Sequence, residues 1–394
     1  MTTNKVDKRL LTTALSGFFI MGFCDIVPPL TGAEIANEFP EELQGWAWTL
    51  PSMVFLWFFL LAVPIAAFMN RKGKKTTAYI GYFLTCIGLF IPFFVIPLDT
   101  AEHTLGAREM WWYYLGFGLL GLGNTFTQVA INPLLASIVP SERMTSYLTI
   151  GQIFRNTALL LVGPLVILFG ALTNQWRWIL LLYGILTVLG ILMLRITPIK
   201  KDETITKSVG YLDCFRLLKN SKVLLSALGI ACFIAGDVGI SFVGSKLIGD
   251  SSILTTTGFY ACRIVGTLVG ASVLIYYSDV KYLRWNMALA LTLCLILMTI
   301  GQNQTVLIYG AMGLMGFMMS CVFATFYAVA TKAAGRAKAD GVAGLMIMAI
   351  SAGALACPAC GYLIDLTGTT SLGFLFSTAC ILYMFWASWK LKVK

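Results

Sequence analysis

Apolar runs long enough to cross a bilayer recur from one end of this chain to the other. A membrane-spanning helix needs about 20 such residues. Twelve runs meet that length or come close: 10–33, 44–69, 76–97, 111–139, 145–172, 176–195, 223–248, 252–278, 282–300, 305–332, 338–364 and 370–390. In lipid every backbone polar group must be satisfied within the segment, so runs of this length predict helices. Of the 394 residues, 58% are hydrophobic and only 12% charged, with mean hydropathy +0.82. Ordinary soluble domains carry about 25% charged residues. The first run has no small-residue cleavage site and continues into the acidic AEIANEFPEE, so it is expected to stay as a span rather than leave as a signal peptide.

A formal net charge of +10 would ordinarily raise nucleic acid as a partner. The distribution of the charge excludes it. With the N-terminus in the cytoplasm and the loops alternating, the inner side receives Lys5, Lys8, Arg9, Arg71, Lys72, Lys74, Lys75 and Arg143. It also receives Arg195, Lys200, Lys201, Lys207, Arg216, Lys219, Lys222, Lys281, Arg284, Lys332, Arg336, Lys338, Lys390, Lys392 and Lys394. The outer side receives Arg108, Arg177 and Lys246, and Arg155 and Arg263 fall inside spans. Cytoplasmic loops of membrane proteins are enriched in Lys and Arg, which predicts a multi-pass protein of the cytoplasmic (inner) membrane with both termini in the cytoplasm. Trp46, Trp48, Trp111, Trp112, Trp176 and Trp178 gather at the outer span ends, Trp285, Trp386 and Trp389 at the inner ones. Membrane lipid is therefore an expected partner. The ten cysteines lie mostly within spans, and Cys357-Pro-Ala-Cys360 reads as a packing segment rather than a redox motif. The single histidine, His103, is expected to be a solvated loop residue.

The longest interruption is the polar connector 196–222. It divides the chain into an N-terminal six-helix bundle, 1–195, and a C-terminal one, 223–394. Its segment YLDCFRLLKN has apolar residues at helical spacing, which predicts an amphipathic helix on the inner surface. Asp25 lies in the first span of the first half and Asp237 in the first span of the second. A carboxylate near the centre of a membrane helix costs about 2.5–3.5 kcal/mol on insertion scales, so it is kept for a partner or a function. A matched pair predicts a polar site between two repeated bundles, the design of many transporters.

The turn after the second run reads Asn70-Arg71-Lys72-Gly73-Lys74-Lys75, and four residues before it stands Ala66. Later spans read GLGNTFTQVAINPLLASIVP, GQIFRNTALLLVGPL, AGDVGISFVGSKLI, GFMMSCVFATFY and GLMIMAISAGALACPACGYLID. The turn resembles the loop signature of the major facilitator superfamily, with Ala66 for its glycine and Asn70 for its aspartate. The ordered set of spans resembles the fucose/glucose–galactose permease subfamily. That resemblance implies an all-α fold of twelve transmembrane helices in two pseudo-symmetric six-helix bundles. It also implies a central cavity lined mainly by spans one, four, seven and ten, with five, eight and eleven beside them, opened to alternate sides as the bundles rock. Asp25, Asn132-Pro133, Gln152 and Asp237 fall where the subfamily has its first-span aspartate, its Asn-Pro pair, its span-five glutamine and its span-seven acid.

The departures are as informative. Gln128 stands where the subfamily carries a glutamate implied in substrate binding and proton coupling, and an amide cannot titrate near neutral pH. Arg155 replaces an asparagine, Arg263 a small residue, and Met319 and Ala324 an asparagine and a proline. Asn124, Gln128 and Asn132 follow one another at four-residue spacing and are expected to share a helix face. With Gln152, Arg155, Asn156 and Arg263 they form the expected substrate-binding set. Asp25 and Asp237 are the expected proton-coupling groups. Two readings of the arginines stay open. Buried intramembrane charges pair, so Arg155 and Arg263 neutralise the aspartates, or their planar forks grip an anion. The expected function is proton-coupled symport of a small polar solute, foremost a monosaccharide. The alternatives are a sugar acid or other organic anion, sodium in place of the proton, and more remotely a drug exporter or a membrane enzyme. The chain has no HExxH, GxSxG or Walker sequence. No enzyme activity, cofactor or metal is expected, and analogy with the fold points to a monomer.

Overall fold

The computed structural model describes residues 7–47, 49–98, 105–198, 211–248, 252–299 and 304–391. Trp48, His103, Lys5, Lys200, Lys201, Lys207, Lys392 and Lys394 lie outside the described residues, as does most of the first part of the connector. The first half contributes α1 (Lys8–Asn37), α2 (Leu50–Lys72), α3 (Lys74–Val95), α4 (Ala107–Ile138), α5 (Met144–Thr173) and α6 (Trp178–Ile196). The second contributes α7 (Ser221–Ile248), α8 (Ser252–Val273) and α9 (Asp279–Thr299). It continues with α10, in two pieces (Thr305–Met318 and Val322–Ala334), α11, also in two (Ala339–Ile350 and Ala356–Thr367), and α12 (Phe374–Lys390). The twelve expected spans are all helical. Two of their bounds are corrected. The run 44–69 splits, because Glu41–Ala47 forms its own short helix before α2, and 252–278 ends at Val273.

Among the described residues, ten helical segments are long and apolar enough to cross a membrane. Neither α4 nor α8 is among them. α4 carries the amide stripe, and every residue from Thr127 to Ala136 is buried. A helix that polar is kept from lipid by its neighbours.

The packing repeats. α1 packs on α4, α5 and α6, α2 on α4, and α3 on α6. In the second half α7 packs on α10, α11 and α12, α8 on α10, and α9 on α12. The halves meet along two seams, α2 against α11 and α5 against α8. Close approach needs small residues. A Cβ on Gly266 of α8 would lie 2.5 Å from the Phe317 carbonyl of α10, and one on Gly316 of α10 would lie 2.4 Å from the Phe259 carbonyl of α8. This reciprocal pair of glycines lets the two backbones touch.

The ends of the helices that carry both termini are tied together. Ser146 of α5 donates to the carbonyl of Ala271 of α8 (2.9 Å). Asp279 accepts from Thr145 (3.0 Å) and pairs with Lys332 of α10 (3.0 Å). Lys74 faces Asp340 across the other seam at 3.8 Å. On the same face Cys214 and Leu217 of the connector are buried, while Tyr211 and Leu212 are exposed. The expected amphipathic segment is present as Tyr211–Arg216 and a short 3-10 turn, packed partly on α2 and α11.

At the opposite face Arg177 is completely buried. It donates to the carbonyls of Ile96 (3.1 Å) and Pro97 (2.6 Å) just past the end of α3, and faces Glu38 at 3.4 Å. Glu38 also accepts from Tyr113 (2.7 Å) and the Trp176 indole (2.9 Å). Burial pushes the Glu38 carboxyl up from its ordinary range, against the opposing pull of Arg177.

Candidate functional site

A cavity of about 880 Å³ lies between the two halves, near the middle of the helices. Its polar lining comes from Asp25 of α1, Gln152, Arg155 and Asn156 of α5, Asp237 of α7, Tyr260 and Arg263 of α8, and Ser320 of α10. Pro29 of α1, Phe55 of α2 and Phe242 and Lys246 of α7 carry the lining toward the face away from the termini. Toward the terminal face the seams just described close it. The cavity therefore reaches outward from the molecule's middle on one side.

Asp25 is held by two helices. Its Oδ1 accepts from Asn124 Nδ2 (2.8 Å) and Gln128 Nε2 (3.0 Å), both from α4. Its Oδ2 accepts from Arg155 Nε (2.9 Å) and Nη2 (2.6 Å), from α5. Gly22 makes this possible. A Cβ there would sit 2.3 Å from the Arg155 carbonyl, so only glycine lets α1 pass α5 closely enough, one turn before Asp25, for the pair to form. Arg155 also lies over the Phe323 ring of α10 at 6.0 Å.

The second pair is built differently. Arg263 Nη1 donates to Asp237 Oδ2 (2.9 Å), and Nη2 makes a short contact to Oδ1, so the guanidinium forks both carboxylate oxygens. Three rings surround the cation: Phe259 at 4.7 Å, Tyr260 at 5.5 Å and Phe233 at 5.8 Å. Aromatic faces attract a guanidinium most when water is excluded. Asp237 and Arg263 are 8% and 5% exposed.

The expected residues separate into three groups. Asp25, Gln152, Arg155, Asn156, Asp237 and Arg263 line the cavity. Asn124 and Gln128 are completely buried behind Asp25 and bonded to it. Asn132 is turned away, with Nδ2 donating to the Gln128 carbonyl at 2.8 Å. Asn156 donates to Thr267 of α8 at 3.2 Å, across the α5–α8 seam. The sequence reading did not single out Phe233, Tyr260, Ser320 or Phe323. The first two had a legible signal, because each stands one helical turn from a buried charge on its own helix, at i,i+4 from Asp237 and i,i+3 from Arg263. Cys357 and Cys360 are free thiols in α11, the first lining the cavity and the second buried.

The glucose/galactose transporter of Brucella abortus biovar 1 is 25% identical over 405 residues, covering 95% of this chain and 92% of that protein. The E. coli fucose:proton symporter superposes with a TM-score of 0.78 at 17% identity, covering 98% of each chain. The proton:xylose symporter XylE superposes with a TM-score of 0.76 at 13% identity, covering 97% of this chain and 95% of the other. At such identities the two structures establish the fold alone. Residues 13–358 match the sequence profile of the Major Facilitator Superfamily. With that match running from the first helix into the eleventh, over helices that repeat their packing in two halves around one cavity, this chain belongs to the Major Facilitator Superfamily.

Proposed function

We propose that this protein moves a neutral monosaccharide across the membrane together with a proton, by alternating access, and that it is a transporter rather than an enzyme. The observation that carries the reading is the state of the two cavity arginines. Each already holds an aspartate, so the four charges at the centre cancel and leave amides, hydroxyls and ring faces. Such a lining suits a polyhydroxyl solute, whose hydroxyls match amide groups and whose ring faces pack on aromatic side chains. The named activities of the relatives support the same class.

In this reading Gln152, Asn156 and the rings of Phe233 and Phe323 contact the sugar. Asn124 and Gln128 act through Asp25, and Arg155 and Arg263 serve as counter-charges. Asp25 carries the coupled proton, with Asp237 second. The segments 1–195 and 223–394 move as two bodies joined by 196–222. The basic loops support a cytoplasmic location for both termini and an inner-membrane protein, and analogy with the fold supports a monomer. A second reading rests on Lys246, a further cation lining the outer part of the cavity, 4.9 Å from the Phe242 ring. It makes the solute a sugar acid.

The test is uptake into proteoliposomes. Radiolabelled glucose and galactose are compared with gluconate and glucuronate, with and without imposed proton and sodium gradients. The proposal expects accumulation of a neutral hexose driven by the proton gradient alone. Accumulation only of the acids transfers the role to Lys246 and the arginines, and a sodium requirement replaces the coupling ion.

A further inference from the structure

The Asp25 carboxylate accepts four donors at once: two amides on Oδ1 and two guanidinium nitrogens on Oδ2. A carboxylate offers about four acceptor positions, so this one is saturated in its ionised form. The orientation of the Gln128 amide is fixed by chemistry, because an amide oxygen turned toward an ionised carboxylate would repel it. The consequence falls on the other end of the same amide. Gln128 Oε1 is buried without a hydrogen-bond partner, on a residue with no exposure. A buried orphan costs about 1–3 kcal/mol, and native proteins keep few of them.

Protonation changes what Asp25 needs. When a proton from the cavity forms an O–H bond at Oδ1, that oxygen becomes a donor, and two N–H groups already point at it. A half-turn of a terminal amide replaces a donor with an acceptor in the same place, and that torsion is soft and roughly two-fold. Asn124 Oδ1 is already approached by Gln128 Nε2 at 3.5 Å. Turning either amide breaks that long contact, but Gln128 Oε1 is otherwise without a partner, so its half-turn gives a bond to an oxygen that now has none. Methionine, of similar length, would supply no donor and only a weak thioether acceptor, and glutamate would bring a second titrating group.

We propose that Gln128 is a positioning residue for proton uptake: its amide donates to ionised Asp25 and, after a half-turn, accepts the O–H of the protonated acid. This rests on the reading of Asp25 as the proton carrier. The charged and titratable groups around Asp25 are Arg155 from α5, Cys24 beside it on α1 with Cys86 and Tyr82 of α3 behind, and Asp237, Tyr260 and Arg263 on the cavity wall from α7 and α8. Of these Arg155 bonds the carboxylate, and α4 contributes amides only. Arg155 stays charged throughout, with Oδ2 and the Phe323 ring as its neighbours.

The test is infrared difference spectroscopy of the whole protein in lipid, alkaline minus acid, with carbon-13 in the glutamine side-chain amide. The expected result is a protonated-carboxyl band absent from Asp25→Asn, appearing together with a downshift of a glutamine carbonyl band absent from Gln128→Met. A carboxyl band without the glutamine shift overturns the proposal while leaving Asp25 as the carrier. No carboxyl band at any pH overturns both, and gradient-driven hexose uptake surviving in Asp25→Asn identifies that case independently. Hexose counterflow gives a second measure. The rotation makes Gln128→Met lose one bond in each protonation state, so the apparent proton affinity moves by less than about fivefold. A fixed donor would lose a bond only in the ionised state and raise that affinity by about tenfold or more.

Discussion

The two halves each keep an aspartate–arginine pair at the centre of the protein, and they stabilise opposite members of it. In the first half the carboxylate receives the attention: Asp25 takes two amides from α4 as well as the guanidinium of Arg155. In the second it is the cation: Arg263 is forked on Asp237 and ringed by Phe233, Phe259 and Tyr260. The helices that build them differ too. α4 and α5 run unbroken through the site, whereas α10 is interrupted at 319–321 and α11 at 351–355, both beside the cavity. A carboxylate with spare donors and a path to water tolerates losing or exchanging a partner. A guanidinium enclosed by rings does not. On the proposed reading, the difference suits the first pair to exchange and the second to permanence.

The largest expected effect separates these roles by function. Asp25→Asn abolishes gradient-driven hexose accumulation and leaves counterflow, whereas a chemically matched loss in Asp237→Asn would erase the distinction; both are read in proteoliposomes. Next comes stability. Arg263→Ala strands a buried carboxylate and costs about 3–5 kcal/mol. The double change Asp237→Leu with Arg263→Met recovers most of that. Arg155→Ala costs less, about 1–3 kcal/mol, because Asp25 keeps Asn124 and Gln128. Thermal unfolding in detergent reports all three, and equal losses for the two arginines would break the comparison. Smaller again, Gly22→Ala forces α1 from α5 and costs about 1–3 kcal/mol by overpacking. It should lower proton-driven uptake more than it lowers the unfolding temperature of the second half's contacts, which cross-linking along α7–α11 can follow.

The smallest effect uses a third pair, Glu38 with Arg177, as a control remote from the cavity. Burial raises the Glu38 carboxyl above its ordinary value of 4.5, so the folded state holds the proton more tightly than the unfolded chain. Stability is therefore greatest with the proton on, falls as pH rises from 4.5 through the raised value, and is flat above it. The slope is at most about 1.4 kcal/mol per pH unit. Glu38→Gln should flatten that part of a thermal-shift profile without altering the pH dependence of transport.

Much of this was legible in the residues. Hydropathy alone marks most of the spans, and the lone aspartates mark the centre of each half. α4 was legible for the opposite reason, since its amides signal a helix kept out of lipid. Other features could not be read. Helical spacing puts Asn124, Gln128 and Asn132 in a row, but each step of four residues drifts about 40°, so Asn132 lies about 80° from Asn124 and turns toward its own backbone. Partners of Asp25 and Asp237 come from other helices, and sequence distance carries no record of which. The break in α10 at Met319-Ser320-Cys321 has no proline near it, whereas that in α11 at Ser351–Leu355 comes just before Pro358, which cannot bond back to the Ala354 carbonyl.

The pairing of charges has an electrical consequence. In the proposed cycle each aspartate travels with its arginine, so the return of the unloaded centre would move no net charge from these groups through the membrane field. A proton added at Asp25 leaves that pair with one positive charge. A transmembrane voltage acts on such a charge with about 2.3 kcal/mol per 100 mV for a full crossing. Voltage would then pull the loaded form inward and leave the empty form indifferent, which makes the loaded step the one through which an energised cell drives accumulation.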